Sequence, residues 1–124
     1  MEWKLTDDRP IWSQLSDLVA SQIAAGVYGP GERLPSVREL AAQAQVNPNT
    51  MQRALTELER ENLLVSGGTS GRTVTQDEEI LTGMREDALA ELTRECAEKF
   101  RAFGLTPAQA AQRLMDLEHE KEES

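Results

Sequence analysis

Cysteine and histidine are nearly absent from this chain: Cys96 and His119 stand alone among its 124 residues. A single thiol excludes an internal disulfide, and one thiol with one imidazole gives no basis for a zinc site. No run of about 18 apolar residues occurs, so no transmembrane helix is expected. Met1-Glu2-Trp3-Lys4 leads into Asp7-Asp8-Arg9 without the apolar centre of a signal peptide, and the expected location is the cytoplasm. An excess of positive charge, the usual mark of a nucleic-acid partner, is lacking too, since the net charge is −9. Catalytic equipment is equally scarce. His119 lies in a solvated terminal charge run with no fixed partner, and Cys96 falls on an apolar stripe as a small core hydrophobe. The Gly67–Gly71 loop precedes no Lys-Ser/Thr pair and joins two strand-like runs, so it is no phosphate cradle. No catalytic residue, metal ligand or cofactor is expected.

What the chain has is divided by charge. At 39% hydrophobic and 28% charged it can fold, and its length suits one domain with an appendage. Residues 1–75 hold seven Lys/Arg against nine Asp/Glu, a net of −2, whereas residues 76–124 hold six against thirteen, a net of −7. The acid belongs mainly to the C-terminal part, which leaves room for a DNA-binding face in the N-terminal part.

After Pro10, whose missing N–H suits a first turn, Ile11, Leu15, Leu18, Val19 and Ile23 recur at helical spacing. Gly26 and Gly29-Pro30-Gly31 stop that helix. Ser36-Val37-Arg38-Glu39 has the pattern of a capping box and opens a second helix, to about Gln43 or Ala44, with Val37, Leu40 and Ala41 inward. After a break at Gln45-Val46, Asn47 as N-cap and Pro48 in the first turn open a third helix to about Glu61. Its buried face is Met51, Ala54, Leu55 and Leu58. Leu63–Ser66 and Arg72–Thr75 flank the glycine-rich loop as a hairpin. The order is that of a helix-turn-helix with a wing.

Gln76-Asp77-Glu78-Glu79 is a charged boundary into the tail. Leu81, Met84, Ala88, Leu92, Cys96, Phe100 and Phe103 then mark one face of a long helix to about Phe103, with Gly104 as its C-cap. Thr106-Pro107-Ala108-Gln109 starts a last helix carrying Ala110, Leu114 and Leu117. The expected fold is mainly α with a small β-hairpin: a winged helix-turn-helix domain over residues 1–75 and a two-helix dimerisation region over 76–124. Two helices alone enclose no pocket of a few hundred Å³, and their apolar stripe needs cover. A second copy supplies it through a two-fold contact, and packing between the two helices of one chain also contributes.

In a helix-turn-helix the second helix enters the major groove, with its N-terminal residues at base edges. Here that end presents Asn47, Asn49, Thr50 and Gln52. Asn and Gln pair bidentately with adenine, and Thr reaches a base or a phosphate. Arg38 reaches a guanine edge or a phosphate from the preceding helix, and Arg53 adds a cation near the same face. Asn47 and Ser36 also cap helices, and this geometry is reused for protein contacts, so the spacing leaves DNA and protein partners both open.

Three stretches narrow the choice: Pro10-Ile11-Trp12 through Gln22-Ile23, Gly26-Val27-Tyr28-Gly29-Pro30-Gly31 through Ala41, and Val46-Asn47-Pro48-Asn49-Thr50 through Leu55. Together they closely resemble the GntR family of bacterial transcription regulators, over about residues 8–75. PG-x-x-LPS-x-RELA with VNPNT at the right offset is a specific match. The resemblance implies a winged helix-turn-helix that binds a palindromic double-stranded operator as a homodimer. It implies that Arg38 and the start of the third helix read bases, that Arg53 contacts the operator, and that the wing-tip glycine, here Gly71, approaches the minor groove. The expected DNA-binding set is Ser36, Arg38, Asn47, Asn49, Thr50, Gln52, Arg53, Gly71 and Arg72. One departure stands out. The family's wing usually reads Gly-Thr-aromatic-Val, whereas Gly71 is followed here by Arg72-Thr73-Val74, so Thr73 replaces the aromatic anchor and Arg72 is expected to meet a phosphate. The short tail resembles that of YtrA-type members, in which it is mainly a dimerisation device; no effector is specified. The expected function is a DNA-binding regulator, a repressor; the alternative is a winged-helix protein-interaction module that has lost DNA binding.

Overall fold

The computed structural model describes residues 3–68 and 71–123. Thr69 and Ser70 of the expected wing loop lie outside the described residues, as do Met1, Glu2 and Ser124. The chain divides into two compact units, Met1–Arg85 and Glu86–Ser124.

In the first unit, α1 spans Ile11–Ala24, one residue later than a first-turn Pro10 would place it. Pro10 instead takes the N-cap position, and its carbonyl accepts from the Ser13 and Gln14 amides at 3.2 and 3.3 Å. α2 spans Val37–Ala44, opened by the Ser36 hydroxyl, which accepts from the Glu39 amide at 3.1 Å. Gln45 closes it in the left-handed region (φ 58°), and Val46 N–H returns to the Ala41 carbonyl at 3.0 Å. α3 spans Pro48–Arg60, with Pro48 in its first turn and Asn47 Oδ1 accepting from the Asn49 amide at 2.8 Å. The three helices enclose Leu15, Val19, Leu40, Met51, Leu55 and Leu58, all essentially without exposure. Each such side chain contributes about 1.5–3 kcal/mol by leaving water. A buried hydrogen bond from Ser16 Oγ to the Ala54 carbonyl, 2.9 Å, fixes α1 against α3.

The hairpin pairs β1 (Leu64–Ser66) with β2 (Arg72–Val74), antiparallel, matching Leu64 to Val74 and Ser66 to Arg72. The segment between α1 and α2 also joins it. Gly31 N–H reaches the Val74 carbonyl, Val74 N–H the Glu32 carbonyl, and Leu34 N–H the Arg72 carbonyl, each at 2.9 Å. What reads as turn residues in the sequence thus runs along the other edge of β2. The residues before α1 are latched by buried Gln14. Its Nε2 donates to the Thr6 and Arg9 carbonyls, both at 2.8 Å, and its Oε1 accepts from the Thr6 amide at 2.7 Å.

α4 spans Glu78–Arg101 and is capped by Asp77, whose Oδ1 accepts from the Glu79 amide at 3.0 Å. Its first turns belong to the first unit, because Ile80, Leu81 and Met84 pack against that unit's core. In the second unit α4 ends at Arg101, and Gly104 (φ 81°) lets Leu105 N–H close back on the Phe100 carbonyl at 3.1 Å. α5 spans Pro107–Glu123 and opens with a complete capping box. Thr106 N–H donates to Gln109 Oε1 at 2.9 Å, and Gln109 N–H donates to Thr106 Oγ1 at 3.2 Å. No residue of α4 is fully buried, and Leu89, Leu92, Leu114, Met115 and Leu117 stay about half exposed. No helix among the described residues is long and apolar enough to cross a membrane.

Candidate nucleic-acid interface

Because α3 turns Met51, Ala54, Leu55 and Leu58 into the core, helical geometry sends Asn49, Gln52, Arg53 and Thr56 outward. Of the polar groups expected at the DNA face, two are engaged in capping. Asn47 Oδ1 holds the Asn49 amide, and the Ser36 hydroxyl holds Glu39 through both its amide and its carboxylate. The side chains of Asn49, Thr50 and Gln52 make no hydrogen bond among the described residues and keep their donors and acceptors available.

The arginines of the first unit's helix-and-wing region fall into two sets. Arg9 pairs with Asp17 at 2.8 Å, Arg60 with Glu57 at 3.0 Å, and Arg72 Nε with Glu59 Oε1. Arg33, Arg38 and Arg53 are exposed and have no carboxylate partner among the described residues. Arg33 lies along the wing, within 3.4 Å of where a Cβ on Gly71 would sit, and Gly71 itself needs its positive φ of 80°. Arg53 lies over the Trp12 ring of α1, its Cζ 4.3 Å from the centroid. Ser36, Gly71 and Arg72 come together with Arg33 and Leu55 around a cleft of about 300 Å³ between the α2 N-terminus and the wing. The acidic side chains of α3 cluster toward its other end. There burial, then repulsion from Glu57 and Asp17, raises the Glu61 carboxyl above its ordinary range.

Arg72 is thus placed differently from a free phosphate contact. Its side chain is only 16% exposed and tied to α3 through Glu59, fastening the wing where the sequence lacks the aromatic anchor. Glu59 left no signal in the sequence, since it acts across 13 residues of separation. Trp12 left a faint one, as an aromatic set off the apolar stripe of α1.

Of the tail positions expected at a dimer contact, Leu81 and Met84 lie against the first unit's own core. Cys96 and Phe100 are half-buried, Ala88, Leu92, Leu114 and Leu117 are exposed, and Phe103 is 84% exposed. Phe100, Leu114 and Leu117 line an open groove of about 330 Å³ within the second unit, bordered by Arg113, Asp116 and Glu120.

Known proteins share this construction. The family of bacterial regulatory proteins called gntR matches residues 12–74. An uncharacterized HTH-type transcriptional regulator of Bacillus subtilis, YhcF, is 30% identical over 106 residues, covering 86% of this chain and 88% of that one. A GntR family transcriptional regulator from Listeria monocytogenes superposes with a TM-score of 0.74 at 28% identity, over 90% of this chain and 98% of that one. The AraR(DBD) chain, solved in complex with operator ORX1, matches 60% of this chain and 96% of its own length, with a TM-score of 0.56 and 25% identity. The chain belongs to the gntR family of bacterial regulatory proteins, as a transcriptional regulator with a winged DNA-binding domain.

Proposed function

We propose that this regulator is a cytoplasmic repressor that binds a palindromic operator as a homodimer. Residues 1–75 supply the DNA-binding face, and within the expected dimerisation region 76–124 the second unit, Glu86–Ser124, supplies the dimer contact. The observation that carries the reading is that Arg33, Arg38 and Arg53 are exposed and face no carboxylate among the described residues, while Asn49, Thr50 and Gln52 at the start of α3 keep their side chains unengaged. Those residues offer both base-edge and phosphate contacts. AraR(DBD), a similar chain solved in complex with an operator, supports DNA as the partner. The dimer is supported by the uncovered apolar residues of the second unit, Leu92, Phe103, Leu114 and Leu117, which a second copy buries most simply. Two winged faces about 34–36 Å apart then meet successive major grooves. Most of the net charge of −9 belongs to the tail, which opposes non-specific binding and leaves discrimination to base contacts.

The test is a titration of two fluorescent duplexes at several salt concentrations, one carrying the inverted repeat of the protein's own promoter and one scrambled. The expected result is a linear fall of log K with log salt and a much tighter complex with the inverted repeat. Equal, weak affinity for both at every salt would favour a protein-interaction module instead.

A further inference from the structure

We infer that Trp12 is a positioning residue for DNA binding: its indole face holds the Arg53 guanidinium in place, leaving its N–H donors for a phosphate. The guanidinium sits 4.3 Å from the ring centroid, inside the distance at which a cation is attracted to an aromatic face. The ring is its one partner among the described residues. The contact follows from how α1 and α3 are registered. Ser16, one helical turn after Trp12, donates its buried hydroxyl to the carbonyl of Ala54, the residue next to Arg53. That bond brings the Trp12 face of α1 beneath the outward side of α3. A guanidinium is planar and weakly hydrated, so stacking occupies its face and leaves its in-plane donors free for bidentate contact with phosphate oxygens. A long, rotamer-rich side chain is thereby ordered before DNA arrives, and less freedom is lost on binding. Trp12 lies outside the fully buried core, so the ring is not needed to fill the interior.

This inference rests on the DNA-binding reading of the winged face but not on the operator sequence or on repression, since a phosphate contact acts on any duplex. The experiment uses the full chain and a fluorescein-labelled duplex of mixed sequence, about 30 base pairs long, so that it spans more than one helical turn. Trp12→Leu keeps apolar bulk and removes the ring, while Trp12→Phe keeps a ring. In the Arg53 background Trp12→Leu is expected to weaken binding roughly three- to fivefold, and Trp12→Phe to stay within about twofold. In an Arg53→Ala background Trp12→Leu is expected to change nothing further, and Arg53→Ala should lower the salt slope by about one per bound copy. Thermal melts of all variants identify any loss of fold. An equal loss from Trp12→Leu with and without Arg53, or no loss with Arg53 present, overturns the positioning role. Failure of the wild-type chain to bind any duplex overturns the DNA-binding reading and this inference with it.

Discussion

Whether a carboxylate answers an arginine decides what that arginine is free to do. Arg38 is exposed on the second residue of α2 with no carboxylate paired to it among the described residues, so its guanidinium can spend its donors on DNA without first breaking a pair. Arg38→Ala should cost about 1–3 kcal/mol on the cognate operator and less on a scrambled duplex, as read by fluorescence anisotropy. Equal losses on both would make Arg38 a phosphate contact. Glu61 illustrates the opposite situation, a charge in an unfavourable place. Burial is the largest cause of its raised pKa, with Glu57 and Asp17 adding repulsion that Arg60 opposes. A carboxyl raised by folding stabilises the native state while protonated and loses that contribution as pH climbs through its folded value. Above that value the ionised group works against the fold. Glu61→Gln should therefore raise the melting temperature slightly at pH 7, an effect damped by solvent at this exposed position, and the gain should shrink toward about pH 3.5, below the ordinary glutamate value. A gain of the same size at both pH values would show that charge is not the cause.

Among elements, the parts legible in the sequence were those governed by local chemistry. The Ser36 cap, the Asn47-Pro48 start, the Gly104 stop and the Thr106–Gln109 box each depend on residues within one turn, and each is present. The same holds for the outward polar face of α3, which follows once its inward face is known. What escaped depends on pairing across distance. The Gly31–Leu34 edge along β2, the Gln14 latch on residues 6–9 and the placing of Ile80, Leu81 and Met84 on the first core arise from contacts that periodicity does not encode. Nor could the wing's anchor be read. Thr73 stands where the aromatic anchor is expected, and Arg72, expected to meet a phosphate, instead pins the wing to Glu59 from a position only 16% exposed. Removing either partner leaves the other charge partly desolvated, at a cost of about 1–3 kcal/mol. In urea melts Arg72→Ala and Glu59→Ala should each destabilise, and the double variant should lose less than the sum of the two. Strict additivity would mean that the pair does not hold the wing.

At the scale of the whole molecule, the question is where the DNA-binding unit ends and the proposed dimer contact begins. Charge composition changes at residues 75–76, but the first unit extends to Arg85, because Ile80, Leu81 and Met84 complete its core. The Asp77 cap that opens α4 lies inside the first unit too. The second unit differs in kind: α4 has no fully buried residue, and Phe103 is 84% exposed. On the proposed dimer, apolar side chains left this open gain cover from a second copy, each contributing about 1.5–3 kcal/mol when buried. Two truncations separate these roles. A chain ending at Arg85 should stay folded and sediment as a monomer, and it should bind a palindromic operator far more weakly than the full chain because it loses the joint engagement of two half-sites. A chain ending at Gln76 should also be monomeric, but it should melt at a distinctly lower temperature, having given up three apolar side chains of the core. If the chain ending at Arg85 remains a dimer at the concentration where the full chain is one, the dimer contact lies in the first unit and the role assigned to the tail is wrong.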